Sequence, residues 1–301
     1  MLLLNTVEAM GALSQGMIYA ILALGVFLSF RTLNIPDLTV DGSVVTGAAI
    51  SAVFCSVYGS PFLGLLFAFI FGCFAGAVTG LLNTKLKIQP LLAGILVMFA
   101  LYSINLHIMG GKPNIALTMS DTIYKRAATV FPEEYSAIIV GLLFLIAIII
   151  AFFFFLKTRM GFALRATGDN EDMVRAYAID SERMKVLGLS LSNGLVGLAG
   201  GLLSQYLSFA DTTMGTGMVV IGLASVILGE AVFGTKSLLR RLIAVALGAV
   251  LYRFVIAYAF HFNMPVSDLK LVSAAIVIGA LALGTFSENV PFKLVIGKKE
   301  A

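Results

Sequence analysis

The sequence predicts an all-α, polytopic membrane helix bundle of about nine transmembrane helices, bounded between eight and ten. Three observations carry this. Of 301 residues, 59% are apolar and only 12% charged, whereas soluble domains hold about 45–50% and about 25%. The mean hydropathy is +1.01. Nine apolar stretches approach the ~20 residues that a helix needs to cross a bilayer. In lipid every backbone polar group must be satisfied internally, so helices are the economical solution. An ordinary globular enzyme, a disordered chain and a coiled coil are excluded by this composition.

The predicted spans are 9–30, 38–57, 61–83, 89–108, 136–156, 186–209, 217–234, 241–261 and 270–287. No Lys or Arg precedes the first, and no cleavage site follows it, so a secretory signal is not expected there. Pro61, Pro90 and Pro291 stand at span edges, where a missing N–H costs little. The second and seventh spans are short or interrupted. The second is led by Asn34, Asp37, Thr39 and Asp41, around Pro36 and Gly42. Irregular backbone at membrane depth is tolerated only beside protein or water, and broken helices often mark transport sites. These four residues are candidates for an inner gate or pathway; a short cytoplasmic turn is the other reading.

Gly72, Gly76 and Gly80 form a small-residue ridge on the third span, and Gly197 and Gly201 another on the sixth. Such ridges let helix backbones approach closely in lipid, either within the chain or at a subunit interface. Arg253 falls near the middle of the eighth span. Charge there costs about 2.5–3.5 kcal/mol on insertion scales, so Arg253 is a candidate to meet a solute carboxylate, or has a structural partner or water. Lys270 can snorkel outward, and Asp211 and Asp268 belong to the outer mouth. Cys55 and Cys73 lie in apolar runs and read as small buried hydrophobes.

Positive charge sets the orientation. With the C-terminus inside, fifteen Lys and Arg residues fall in cytoplasmic loops, among them Arg31, Lys85, Lys157, Arg165, Arg175, Lys185, Lys236 and Arg241; Lys112, Lys125 and Arg126 fall outside. Adding or dropping one span would scramble this bias. It explains the net charge of +4 without a nucleic-acid partner. Residues 109–135 then form an extracellular loop and residues 157–185 a cytoplasmic one. In the cytoplasmic loop Gly168 is expected to break the preceding helix and Asp169 to cap the next. Glu171 and Asp172 sit in its first turn, where the dipole favours acids, and Met173 and Tyr177 share one face. So short a helix is marginal alone and needs a partner surface. A protein partner is preferred to lipid, because anionic headgroups would repel its acids.

One weak internal echo suggests an inverted repeat. The run Gly42-Ser-Val-Val-Thr-Gly47 opens the second span, which runs outward, and Gly217-Met-Val-Val-Ile-Gly222 opens the seventh, which runs inward.

Three stretches carry a family resemblance. Gly16-Met-Ile-Tyr-Ala-Ile-Leu-Ala-Leu-Gly25 is similar to the first-span motif of branched-chain amino acid permeases. Arg165-Ala-Thr-Gly168-Asp169-Asn170 through Arg175, Tyr177 and Ile179 resembles the cytoplasmic coupling segment of that group. Gly215-Thr-Gly217 through Gly229 resembles the stretch that follows its sixth span. The chain thus resembles the permease subunit of ABC importers of the branched-chain amino acid and ribose type, a type II-like fold. The resemblance implies a single permease domain over residues 1–301 in the bacterial plasma membrane. It implies an ATP-binding-cassette ATPase gripping Arg165, Gly168, Asp169, Asn170, Arg175, Tyr177 and Ile179, a second permease subunit making a homodimer or a sister pair, and an extracellular or periplasmic solute-binding protein. No cofactor is implied on this chain; ATP and Mg would reside on the partner ATPase. Ala178 stands where many members have Gly, and Glu230 where a second Gly is usual. These departures suggest a divergent branch for amino-acid-like or aromatic solutes.

The residues also exclude chemistry. Gly229 through Gly234 to Lys236 comes near a phosphate-binding loop, but the Lys does not follow the second Gly directly and no strand precedes it. His107 and His261 are isolated, so neither a metal cluster nor a Ser/His/Asp constellation is expected. The resemblance thus implies an importer permease moving a small solute, with an amino acid as the expected class, and an ion-gradient-driven secondary transporter is the alternative.

Overall fold

A computed structural model describes residues 6–261, 271–275 and 278–279. Among these, seven helices are long and apolar enough to span a membrane. They are α1 (Thr6–Val26, continued by a π-helical turn Phe27–Thr32), α2 (Thr39–Ser56), α3 (Pro61–Thr84), α4 (Pro90–Ile108), α6 (Glu133–Lys157), α9 (Ser181–Leu207) and α11 (Leu238–His261). A shorter apolar helix, α10 (Met218–Phe233), is the eighth. The protein is an all-α multi-pass membrane bundle, and the expected spans match these helices within a few residues. The expected ninth span, with Lys270 and Asp268, falls largely outside the described residues.

Local chemistry sets the boundaries. Pro61 and Pro90 occupy first turns, where their fixed φ suits a helix start. The Asp180 side chain accepts from Arg183 N–H to begin α9, and Thr158 accepts from Gly161 N–H to begin α7 (Arg159–Asp169). Between α4 and α6 lie strand β1 (Asn114–Ala116) and helix α5 (Ile123–Ala128). Strand β2 (Phe209–Asp211) follows α9 and pairs antiparallel with β1, Ile115 opposite Ala210. This ribbon covers the end of the bundle opposite α7 and α8 (Glu171–Ala176).

Helix α9 is the spine, packed on α3, α2 and α1, while α11 and α10 pack on each other and on α1. The segments of α1 and α2 are buried over most of their length, whereas α4 and α6 lie at the rim. The glycine ridges are internal to the chain. A Cβ on Gly72 or Gly76 would strike the α9 carbonyls of Asn193 or Leu189, and one on Gly197 the carbonyl of Ala68. Gly47 of α2 faces Gly197 so closely that no side chain fits. This close contact replaces the apolar driving force that lipid removes.

Two spans start inside the bundle. Asn193 is twelve residues into α9, about 18 Å along its axis at 1.5 Å per residue. The first turn of α2 lies against it. Helix α10 starts beside α2, and the segment 212–217 descends from the ribbon to reach that depth. The two runs of the sequence echo therefore open two helices, α2 and the shorter α10, whose N-termini meet inside the bundle.

Candidate functional site

The meeting point is built from buried polar side chains. Asp37 Oδ1 accepts from Thr39 N–H at 2.8 Å, closing the start of α2. Its Oδ2 accepts from Asn193 Nδ2 at 2.6 Å. Asn193 Oδ1 in turn accepts from the Ser43 hydroxyl at 2.7 Å, and the hydroxyls of Thr39 and Thr79 bond at 2.7 Å. Three helices, α2, α3 and α9, and the turn that leads into α2 are thereby tied through one network, satisfied at each of these atoms; a half-satisfied one would cost more than an apolar core. Asp41, one turn further along α2, accepts from Gly217 N–H at 3.0 Å and Val219 N–H at 2.8 Å. It caps α10 from another span, where the exposed N–H groups and the dipole both favour an anion. Gly215 makes this possible: a Cβ there would collide with the Asp41 carbonyl.

Beside the junction is a cavity of about 490 Å³ lined by Asp41, Gly42, Val45, Met98, Phe99, Tyr102, Asn105, Thr212, Gly215 and Thr216. Of the four residues expected at the gate, Asp37, Thr39 and Asp41 come together. Asn34 does not: it is exposed in the turn before them, with φ +57°. Arg253 also lies elsewhere. Its guanidinium sits over the Tyr19 ring at 4.9 Å, beside a separate cavity shared with Glu8, Gln15 and Phe260. Asn105, Asn193, Ser43 and Thr79 were missed by the sequence reading. Their signal was present, since amides and hydroxyls inside apolar runs are themselves functional candidates.

The second candidate region is the α7–α8 platform. Asn170, not Asp169, caps α8: its Oδ1 accepts from Met173 N–H at 3.0 Å, while α7 continues through Gly168 to Asp169. Two adjacent short polar residues compete here, and the extended backbone of Asn170 decides it. Gly168 does not break α7. It lets α7 press on the π-helical turn, since a Cβ would strike the Thr32 carbonyl. Glu171 ties α8 to α9 through an ion pair with Lys185 at 2.5 Å and a hydrogen bond from Ser181 at 3.0 Å, and pairs within α8 with Arg175 at 2.7 Å. Val174 is buried beneath, while Met173, Tyr177 and Ile179 are exposed together. Arg165 points elsewhere, stacked over Phe162 at 4.5 Å, in a basic recess with Arg31, Lys236 and Arg241.

Glu230 now has a role: at the end of α10 it pairs with Arg31 Nε at 3.0 Å. The run Gly229–Lys236 is the end of α10 and the turn after it, with no strand before it. Among the described residues, no group of three His, Cys, Asp or Glu could hold a metal ion.

Comparison with known proteins agrees with this architecture. Residues 9–283 match the family described as branched-chain amino acid transport system / permease component. The tyrosine transport system permease protein of Clostridioides difficile is 41% identical over 91% of this chain and 90% of its own. The uncharacterized protein RP368 of Rickettsia prowazekii is 33% identical over 90% and 95%. The ribose import permease protein RbsC of Escherichia coli is 26% identical over 88% and 83%. No solved structure matches. A bundle with two spans broken at a shared polar junction, matched to permeases over nearly all its length, is a transport subunit and not an enzyme: the chain belongs to the branched-chain amino acid transport permease family.

Proposed function

We propose that this chain is the membrane-spanning subunit of an ATP-binding-cassette importer for an aromatic amino acid, with tyrosine the first solute to test. The observation that carries the ATP-driven part is the α7–α8 platform. Its exposed Met173, Tyr177 and Ile179 have no cover, and its scaffold is held rigidly by Glu171. A short helix with an apolar tip, fastened to a long spanning helix, suits a separate ATPase that pulls on it and shifts α9. The platform face is then cytoplasmic and the β ribbon extracellular, where a solute-binding protein would dock. A second permease subunit completes the assembly. The carboxylates of Asp37 and Asp41 serve here as helix caps, which weakens the ion-gradient alternative, since such a mechanism needs carboxylates free to bind the driving ion.

The solute class is supported by the 41% identity to a tyrosine permease and by the two aromatic side chains at the cavity. The test is co-purification and uptake with the ATPase and binding protein in proteoliposomes. The expected result is ATP-dependent tyrosine uptake in wild type. Asn170→Arg, which removes the α8 cap and adds charge at the tip, should abolish retention of the ATPase. Retained ATPase with normal coupled uptake would remove the platform from the coupling mechanism.

A further inference from the structure

The cavity beside the junction has a polarity that restricts what can occupy it. Asn105 is 1% exposed. Its Nδ2 donates to the Gly42 carbonyl at 3.3 Å. That carbonyl can only accept, so the amide is fixed with its oxygen free. Asn105 Oδ1 has no hydrogen-bond partner among the described residues, and Asn105 lines the cavity. A buried acceptor left alone is costly, so it marks a place where a donor belongs. The lining also holds the Asp41 carboxylate, again an acceptor. Its two oxygens are engaged by Gly217 and Val219, and each keeps a lone pair.

What the cavity lacks matters equally. Among the described residues its lining includes no Lys, Arg or His. The first N–H groups of α10 are already used: Gly217 and Val219 on Asp41, and Met218 on the Gly215 carbonyl. An anion would find no counter-charge here. Apolar walls come from Val45, Met98 and Phe99, with Tyr102 presenting a ring and a hydroxyl. The volume falls within the ~300–1,000 Å³ usual for small-molecule pockets.

We infer that this cavity is a way-station that holds the transported solute by its ammonium group, between the Asp41 carboxylate and Asn105 Oδ1, with the aromatic body on Met98 and Phe99. The inference rests on the permease reading above and adds which end of the solute this chain recognises. The solute carboxylate points to the mouth and the hydroxyls of Thr212, Thr216 and Tyr102. Because Asp41 also caps α10, an ammonium there touches the same carboxylate that joins the two broken spans.

The test uses the permease–ATPase complex without its binding protein, so that selection by the latter does not intervene. In a Cys55→Ala, Cys73→Ala background, Met98→Cys is alkylated by a maleimide in the presence of millimolar L-tyrosine, tyramine or 3-(4-hydroxyphenyl)propionate. Tyrosine and tyramine should slow alkylation, and the propionate, which lacks the amine, should not. Asn105→Leu should weaken the protection about tenfold, as expected for one charge-assisted hydrogen bond. Equal protection by the propionate, absence of protection by either amine, or undiminished protection in Asn105→Leu would overturn the assignment. The three-ligand series alone decides it should Asn105→Leu fail to assemble. ATP dependence of uptake is measured separately: its absence would overturn the importer reading while leaving the ligand result standing.

Discussion

The carboxylate of Asp41 in α2 receives the backbone N–H groups of Gly217 and Val219, 176 and 178 residues later in the chain. One broken span thus supplies the cap of the other. Both helix starts are positive dipole ends placed inside the bundle, and acids supply their compensation: Asp37 locally for α2 and Asp41 across the junction for α10.

Removing that cap should loosen α10 more than α2. Hydrogen bonds to a charged group contribute about 1.5–3 kcal/mol. Asp41→Leu leaves two buried N–H groups unpaired and should lower the melting temperature of the detergent-solubilised protein. Asp41→Asn retains an acceptor and should lose less than half as much, on the same scale of magnitudes. Hydrogen exchange should rise at 217–221 in both. Unchanged melting and exchange in Asp41→Leu would show that the cap carries no stability.

The turn after α8 gives a second prediction. Ala178 has φ +58°, a left-handed conformation that costs a residue with a Cβ about 1–2 kcal/mol. The resemblance placed Gly at this position in many members, and the dihedral supplies the reason. Ala178→Gly should relieve the strain, offset in part by the greater freedom of glycine in the unfolded chain. The net gain is expected near 1 kcal/mol, read as severalfold slower exchange across 171–177. Faster exchange would mean that the turn is not strained in the way its geometry indicates.

Much of the fold was legible because hydrophobic length and charge bias are properties of contiguous residues. The spans emerge from them with errors of a few positions. The break before α2 was visible from Pro36, Asp37, Asp41 and Gly42, residues that do not continue an apolar helix. The trans cap was not, since nothing local pairs Asp41 with Gly217. The echo of Gly42–Gly47 in Gly217–Gly222 hinted at symmetry but carried no contact. Asn105 and Asn193 stood out only as lone amides in apolar runs, and which one would be satisfied depends on neighbours from distant helices. Asp169 and Asn170 illustrate the local limit: both are competent caps, and the path of α7 past Thr32 selects the second.

The Glu171–Lys185 ion pair that fastens α8 to α9 should respond to acid in a defined window. Partial burial pushes the Glu171 carboxyl upward, but hydrogen bonds from Lys185 and Ser181 and the charges of Lys185 and Arg175 outweigh it and hold the carboxyl below its ordinary range. An acid whose folded pKa is depressed stabilises the folded arrangement above its unfolded value, near 4.3, and loses that contribution as pH falls through the folded value. The platform should therefore keep its structure from pH 7 to about 5 and loosen only below about 4. A spin label at Met173→Cys, in the Cys55→Ala, Cys73→Ala background, would report this as mobility that rises in acid. Glu171→Gln cannot hold the charge at any pH, so its label should be mobile already at neutral pH and its response to acid flat. A transition centred between pH 5 and 7 in the parent, or one that persists unchanged in Glu171→Gln, would show that another group holds α8 in place.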